Sequence, residues 1–309
     1  MANGFGCTFH PRGRRVTSRI AVSTLAWLAV VACAPGPVRL LPIGAAHAAE
    51  TPSPVQHPGL PPSEDAAKDQ LNRSPRHGEF VNVVAEGTPV RTWVVYPERK
   101  DKAPVVVVIH EIFGLSDWIR AVADQLAAEG FIAVAPDLLS SKGPGGGGTD
   151  AFATRDDAVK AVSGLARSEV IARLNAVRSY ALALPSARAA SATVGFCWGG
   201  STSFAYAVAQ PLLHAAVVYY GTPPEDLATL AAVKAPVLGL YGGDDARVDA
   251  TIEATQAAMR KYGKSYEPHV FEGAGHGFLR AQAGQNGANL RAAEQAWPMT
   301  VAFLRRHLR

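Results

Sequence analysis

The stretch PVVVVIHEIFGLSDWIRAVADQLAAEGFIAVA, residues 104–135, holds the pattern that decides the fold. Residues 104–109 and 131–135 are continuous apolar runs, typical of strands that are covered on both faces. Between these runs, apolar residues recur at helical spacing over residues 117–129, and Gly130 is placed to end the helix. Strand, helix and strand in this order predict a βαβ unit with parallel strands.

The same alternation continues towards the carboxyl end of the chain. Further strands are predicted at residues 192–196, 215–220, 237–241 and 267–271, with helices at about residues 169–184, 201–210, 248–262 and 288–306. Two half-exposed strands, residues 80–85 and 90–96, precede them. This pattern predicts one α/β domain over residues 79–309, with a single mostly parallel sheet flanked by helices. In such a sheet, chemistry is expected beyond the carboxyl ends of the strands.

The composition is that of a globular protein, and the excess of positive charge lies at one end of the chain. The 309 residues are 48% hydrophobic and 18% charged, with a formal net charge of +4. Residues 1–49 contain five arginines and no acid, so residues 50–309 contain 25 basic and 26 acidic side chains. Because no basic stripe with interleaved aromatic residues remains, we expect no nucleic-acid binding.

Residues 1–48 have the features of a bacterial export signal. Arginines precede an apolar run, residues 20–32, that is too short to span a membrane, and Ala46-His47-Ala48 resembles a cleavage site. We therefore expect an exported protein, periplasmic or secreted, with no integral membrane span. Arg14-Arg15 leaves the twin-arginine route open, and a lipobox-like sequence before Cys33 leaves lipid anchoring open.

The composition indicates two segments without regular secondary structure. Residues 49–78 are rich in proline and have no apolar period, which predicts a linker or a segment that lies over the surface. Residues 145–148 are four consecutive glycines, but no Gly-Lys-Ser or Gly-Lys-Thr triplet follows them into a helix. We interpret this glycine run as a mobile flap beside the pocket and not as a phosphate-binding loop.

Cys197 is the one cysteine that remains when the export signal is removed, and its surroundings favour a nucleophile. A single thiol cannot form an intramolecular disulfide, so it is either buried and inert or kept for its reactivity. Gly195-Phe196-Cys197-Trp198-Gly199 lies between a predicted strand and a predicted helix, the context of a nucleophile elbow with cysteine in place of serine. The glycines allow the sharp turn, and the helix amino terminus favours negative charge on the sulfur or on an oxyanion.

A thiol nucleophile needs a base and an acid that orients the base, and both follow Cys197 in the expected chain order. His110 and His276 lie at the carboxyl ends of predicted strands, and His276 is surrounded by glycines that allow close approach. His276 is therefore the candidate base. Asp244 and Asp245 end another strand, and from position alone either could be the orienting acid.

The loop after the most buried strand contributes two further candidates. Glu111 either faces the pocket or caps the next helix, and position alone does not separate these alternatives. One backbone N–H of this loop, together with that of Trp198, would form an oxyanion hole.

Four motifs, in this order, resemble the dienelactone hydrolase family of α/β hydrolases. They are HEIFGL (110–115), GFCWGG (195–200), YGGDDARV (241–248) and GAGHGFLR (273–280). The resemblance covers residues 79–309 and implies Cys197 as the nucleophile, His276 as the base and Asp245 as the orienting acid. It also implies that Glu111 contacts the resting thiol and that the backbone amides of Ile112 and Trp198 hold the oxyanion.

The resemblance further implies that Arg280 binds a substrate carboxylate. A second carboxylate-binding arginine of the family has no match in the loop after residues 131–135, where Lys142 is the candidate replacement, as a point charge and not a planar fork. We expect a monomeric hydrolase that cleaves a small-molecule ester or lactone by acyl transfer to Cys197, without a metal or cofactor. The alternatives are a carboxylesterase or thioesterase acting on neutral acyl groups, and a non-catalytic protein with a redox-sensing thiol.

Overall fold

The computed structural model describes residues 57–309. The predicted export signal of residues 1–48, including its cleavage site and Cys33, lies outside the described residues. Within the described residues, no helix is both long enough and apolar enough to cross a membrane.

A sheet of eight strands forms the centre of the described part of the chain. The strands are β1 Gly78–Ala85, β2 Thr88–Val95, β3 Ala103–Ile109, β4 Ile132–Pro136, β5 Ala187–Phe196, β6 Ala215–Tyr219, β7 Val237–Gly242 and β8 Tyr266–Phe271. Their order in the sheet is β1-β2-β4-β3-β5-β6-β7-β8. β2 pairs antiparallel with β1 and β4, and all other pairs are parallel. The predicted single, mostly parallel sheet is confirmed.

Helices cover both faces of this sheet. In residues 57–309 they are α1 Ala67–Arg73, α2 Asp117–Ala128, α3 Arg155–Ser163, α4 Arg167–Ala183, α5 Trp198–Ala209, α6 Ala246–Asp249, α7 Ile252–Lys261 and α8 Ala288–His307. The single helix predicted at residues 248–262 is in fact two, α6 and α7, separated by a turn at Ala250 and Thr251. Helices α1 and α3 were not predicted. α3 buries only Ala158 and Val162, so its sequence carries little apolar periodicity.

The apolar run of β3 is buried on both faces, as its sequence predicts. All seven residues of β3 are buried. Val106 and Val108 pack in an apolar layer with side chains of α2 and α8, whereas Val105 and Val107 pack on the opposite face with side chains of α4 and α5. Each fully buried valine contributes roughly 1.5–3 kcal/mol, so this strand is a rigid support for the loop that follows it.

From residue 57 onward, the proline-rich segment lies against the sheet domain. Its Ala67 is fully buried in the core, on the same face as Trp118 of α2. The indole Nε1 of Trp118 donates a hydrogen bond to the carbonyl oxygen of Pro62 at 2.9 Å, and Gln282 Nε2 donates to that of Pro61 at 2.8 Å. These contacts fix the path of the chain just before Glu64.

Candidate active site

Cys197 occupies a strained turn between β5 and α5. Its φ of 56° and ψ of −117° lie outside the regions that non-glycine residues normally adopt, and it is the N-cap residue of α5. Its backbone N–H donates to the carbonyl oxygen of Tyr219 at 3.0 Å, which anchors the turn to β6. A strained residue held this way is typical of a functional site. The structure therefore has a sharp turn between a strand and a helix at Cys197.

The glycines on either side of Cys197 allow backbone segments to approach closely. A Cβ at Gly195 would lie 2.0 Å from the carbonyl oxygen of Gly199. A Cβ at Gly199 would lie 2.3 Å from the carbonyl oxygens of Ile109 and His110. α5 can therefore start directly beside the end of β3 only because these positions lack side chains. The contact brings Cys197 next to the loop that carries Glu111.

His276 and Asp245 meet at the carboxyl ends of β7 and β8. Nδ1 of His276 lies 2.5 Å from Oδ2 of Asp245, whose side chain is 8% exposed. Asp244, the other candidate acid, is exposed to solvent. Of the two aspartates that the sequence left open, the structure places Asp245 and not Asp244 in contact with the imidazole.

The thiol of Cys197 is surrounded by groups with opposing effects on its ionisation. Burial, and then the charge of Glu111, raise the pKa of Cys197. The backbone N–H groups of Trp198 and Ile112 act in the opposite direction, because they stabilise negative charge on sulfur. The effects that raise the pKa of Cys197 dominate, so the resting group is a thiol. Within residues 57–309, the side-chain hydrogen bond of His276 goes to Asp245 and not to this sulfur.

Glu111 is buried against Arg280 and does not cap the following helix. The N-cap of α2 is Ser116, whose side chain accepts a hydrogen bond from the N–H of Ile119. Glu111 is 3% exposed, and its Oε2 lies 2.8 Å from Nε of Arg280. Burial raises the pKa of Glu111 to about 7, although the guanidinium of Arg280 acts in the opposite direction. The carboxyl group can therefore gain or lose a proton near neutral pH.

His110, the other histidine at a strand end, supports the loop and is not placed as a base. It is fully buried, and burial lowers its pKa. Nδ1 lies 2.7 Å from the carbonyl oxygen of Glu111, and Nε2 accepts a hydrogen bond from the N–H of Leu138 at 3.3 Å. The neutral ring therefore donates from Nδ1. The ring of His110 also stacks on Trp198, with ring centroids 5.5 Å apart. His110 therefore supports the two segments whose backbone N–H groups act on the sulfur, those of Ile112 and Trp198.

Arg280 belongs to a charged cluster that sequence reasoning identified only in part. Nη1 of Arg280 is hydrogen-bonded to Oε2 of Glu64, and Nη2 of Arg155 lies 2.9 Å from Oε1 of the same carboxylate. The guanidinium of Arg155 stacks 3.5 Å above the ring of Phe113. We call Arg155 and Arg280 the arginine pair. Glu64 lies in the proline-rich segment and Arg155 begins an unpredicted helix, so no sequence signal led to either.

Lys142 lies in a different network from the arginine pair. Its Nζ is 2.8 Å from Oε1 of Glu169, which also binds Arg173 of α4. The glycine run of residues 145–148 is followed by Thr149. The N–H and the hydroxyl of Thr149 both donate hydrogen bonds to the carboxylate of Asp137. The structure therefore does not bring Lys142 to the cluster around Glu111, and it ties down the end of the segment that we interpreted as a flap.

Tyr220 is a further residue of the site that sequence reasoning missed. It follows β6, its φ is 39°, and its ring packs against His276 with centroids 5.1 Å apart. Its buried hydroxyl has no hydrogen-bond partner within residues 57–309. Its position at the carboxyl end of the strand next to β5 was a signal that could have identified it.

A cavity of about 330 Å³ adjoins the nucleophile elbow. It is formed by α4, α5 and the loop after β6, and its walls include Leu165, Ile171, Trp198, Thr202, Thr222 and Pro224. The side chain of Trp198 thus lines the cavity, and its backbone N–H acts on the sulfur of Cys197. Among residues 57–309, no group of three or more histidine, cysteine or acidic side chains is arranged to hold a metal ion.

Comparison with known proteins shows the family to which the chain belongs. The sequence profile of the dienelactone hydrolase family matches residues 90–308. The chain belongs to the dienelactone hydrolase family. Curated relatives of the chain carry the provisional name carboxymethylenebutenolidase, a lactone hydrolase, and the chain is accordingly a hydrolase acting on lactone or ester bonds.

Two curated family members illustrate the degree of similarity. A protein of Salmonella typhimurium, provisionally named a carboxymethylenebutenolidase, is 35% identical over 216 residues, covering 64% of this chain and 77% of its own. A protein of Saccharolobus solfataricus with the same provisional name is 29% identical over 251 residues, covering 72% of this chain and 96% of its own.

Two solved structures of the family share the fold. A protein of Klebsiella pneumoniae, provisionally named a dienelactone hydrolase, superimposes with a TM-score of 0.66 at 29% identity, covering 74% of this chain and 98% of its own. A dienelactone hydrolase-like promiscuous phosphotriesterase from metagenomic libraries gives a TM-score of 0.62 at 25% identity, covering 76% of this chain and 99% of its own. The α/β-hydrolase fold is thereby confirmed for this family member.

Proposed function

We propose that this protein hydrolyses a small ester or lactone by acyl transfer to Cys197, with His276 as the base and Asp245 as its orienting acid. The proposal rests on the strained conformation of Cys197 at the carboxyl end of β5 and on the 2.5 Å contact between His276 and Asp245 at the carboxyl ends of β8 and β7. The cavity against Trp198 offers room for the acyl or alcohol group of a small substrate.

The proposed reaction has two halves. In the first, Sγ of Cys197 attacks the carbonyl carbon while His276 takes the thiol proton, and the backbone amides of Ile112 and Trp198 stabilise the oxyanion. The carbon–oxygen bond of the ester then breaks, and His276 returns the proton to the leaving alcohol. In the second half, His276 takes a proton from water, whose oxygen attacks the thioester, and the acid and free thiol are released.

The raised pKa of Cys197 favours this proposal over a redox-sensing thiol. Reactive sensor cysteines are accessible thiolates, whereas burial and the charge of Glu111 keep this group protonated. A thiol that ionises only when His276 takes its proton is suited to a substrate-triggered attack.

Turnover of p-nitrophenyl acetate by purified protein tests the proposal. Cys197→Ala and His276→Ala should each lower kcat by at least about a thousandfold, since the members of a catalytic unit fail together. His269→Ala is the matched control, because His269 lies on β8 outside the site, and it should change kcat by less than about twofold. Activity retained in Cys197→Ala would refute the mechanism.

We also propose that the protein is exported to the periplasm or the medium, since residues 1–48 have the sequence of a bacterial export signal. A second proposal is that the protein is a monomer. Cell fractionation with the mass of the mature chain tests the first. Light scattering of the purified protein tests the second.

A further inference from the structure

The charged cluster beside Glu111 contains its own carboxylate ligand for the arginine pair. Oε1 of Glu64 lies 2.9 Å from Nη2 of Arg155, and Oε2 of Glu64 is hydrogen-bonded to Nη1 of Arg280. One carboxylate thus bridges two guanidinium groups, each through a different oxygen. This is the arrangement by which two arginines hold the carboxylate of a bound molecule.

The backbone around Glu64 keeps this carboxylate in place. The N–H of Glu64 donates to the carbonyl oxygen of Arg280 at 3.0 Å, so the residue is attached to Arg280 through both backbone and side chain. The preceding residues are held by the hydrogen bonds from Trp118 and Gln282 to Pro62 and Pro61. Because Glu64 is part of the chain and its backbone is fixed, a free carboxylate would compete against a very high effective concentration.

The arginine pair is connected to the reacting atoms through Glu111. Nε of Arg280 is 2.8 Å from Oε2 of Glu111, and the charge of Glu111 acts on the thiol of Cys197. The carboxyl groups of Glu64 and Glu111 face the two guanidinium groups, so above about pH 7, where Glu111 is deprotonated, the cluster presents no net positive charge to a substrate. An anionic substrate would gain little there and would lose the contacts of Glu64.

We propose that Glu64 is a specificity-determining residue that occupies the anion position between Arg155 and Arg280 and so restricts the enzyme to esters with uncharged groups near the scissile bond. The inference rests on the proposed esterase function and specifies its substrate class. It assigns to the proline-rich segment a role in the active site, which the fold family alone does not imply.

A pair of aryl esters that differ in one charge tests the proposal. 4-Acetoxybenzoate carries a carboxylate, and 4-acetoxybenzamide is its neutral counterpart. For the wild type, kcat/KM should be higher with 4-acetoxybenzamide than with 4-acetoxybenzoate. In Glu64→Ala, the ratio of kcat/KM for the anionic ester to that for the neutral ester should rise by about tenfold or more, because the two guanidinium groups become free to bind a carboxylate.

Two further variants make the result specific. Asp65→Ala removes the same charge from the next residue, an exposed acid outside the arginine pair, and should change the ratio by less than about twofold. Adding Arg155→Ala to Glu64→Ala should return the ratio to within about threefold of wild type, since one side of the anion position is then lost.

If Glu64→Ala does not fold, Glu64→Asp draws the carboxylate back by one methylene and should raise the ratio by at least about threefold.

An unchanged ratio in Glu64→Ala, or a wild type that prefers the anionic ester, overturns the proposal. If wild type hydrolyses neither ester, the proposed function fails, and calorimetric binding of 4-hydroxybenzoate then tests Glu64 by itself. Binding should be at least about tenfold tighter in Glu64→Ala than in wild type and in Asp65→Ala. Equal binding in all three would overturn the role of Glu64 independently of catalysis.

Discussion

Two adjacent aspartates with the same chemistry have different positions at the end of β7. Asp245 is 8% exposed and its carboxylate contacts His276, whereas the side chain of Asp244 faces solvent. A buried carboxylate next to an imidazole selects one tautomer and stabilises the imidazolium that forms during the reaction. An exposed carboxylate one residue away is screened by water and contributes little.

Exchange of each aspartate for asparagine should separate these two positions. Asp245→Asn is expected to lower kcat/KM for p-nitrophenyl acetate by at least about a hundredfold, because the neutral amide no longer stabilises the imidazolium and its NH₂ group can select the wrong tautomer. Asp244→Asn, the matched control, should remain within about threefold of wild type. The reverse order of effects would mean that Asp244 orients the base in solution.

At the scale of the elements, the site depends on how closely α5 approaches β3. The first turn of α5 touches the last carbonyl groups of β3, and this contact places Cys197 next to the loop that begins with Glu111. The approach is set by backbone atoms on both sides, so no side chain can rotate away to make room. Gly199 is therefore a packing requirement of the sheet and helix together.

Alanine at Gly199 should destabilise the protein by about 3 kcal/mol, since its Cβ would lie 2.3 Å from two carbonyl oxygens. Urea denaturation followed by circular dichroism measures this loss. Gly164→Ala is the control: its φ is −86°, and its Cβ would be 3.5 Å from the carbonyl oxygen of Lys160. That variant should be unchanged or up to about 1 kcal/mol more stable. Equal stability of both variants would show that α5 can shift freely.

At the scale of the whole molecule, the buried Glu111 links stability to pH. Burial raises its pKa from the ordinary 4.5 to about 7 in the folded protein. The folded state therefore binds this proton more tightly than the unfolded state, so the contribution of Glu111 to stability is complete below pH 4.5 and is lost as the pH rises through about 7.

Glu111→Gln should remove this pH dependence. The difference in free energy of unfolding between wild type and Glu111→Gln should fall by about 3 kcal/mol between pH 4.5 and about 8. Urea titrations at each pH give this difference. Glu294→Gln replaces an exposed acid of α8 and should give a curve parallel to that of wild type. A parallel curve for Glu111→Gln as well would show that Glu111 keeps its ordinary pKa.

The sequence by itself determined the sheet and the positions along the chain at which the main site residues occur. Short, continuous β-branched runs such as residues 104–109 favour a strand covered on both faces, and the carboxyl ends of parallel strands meet at one edge. This is why Cys197, His276 and the adjacent pair Asp244 and Asp245 could be named as candidates from strand ends and glycine-rich turns, whereas the choice of Asp245 came from the family resemblance. The physical signals involved are local in the chain.

Tertiary structure alone decided which charges meet. Glu64 and Arg280 are separated by 216 residues, and no periodicity, turn or motif connects them. The same applies to Arg155, on a helix too polar to be predicted, and to Lys142, which pairs with Glu169. An ion pair depends on distance and burial in the folded molecule and leaves no spacing in the sequence, so the charge environment of the active site could be established only from the packed structure.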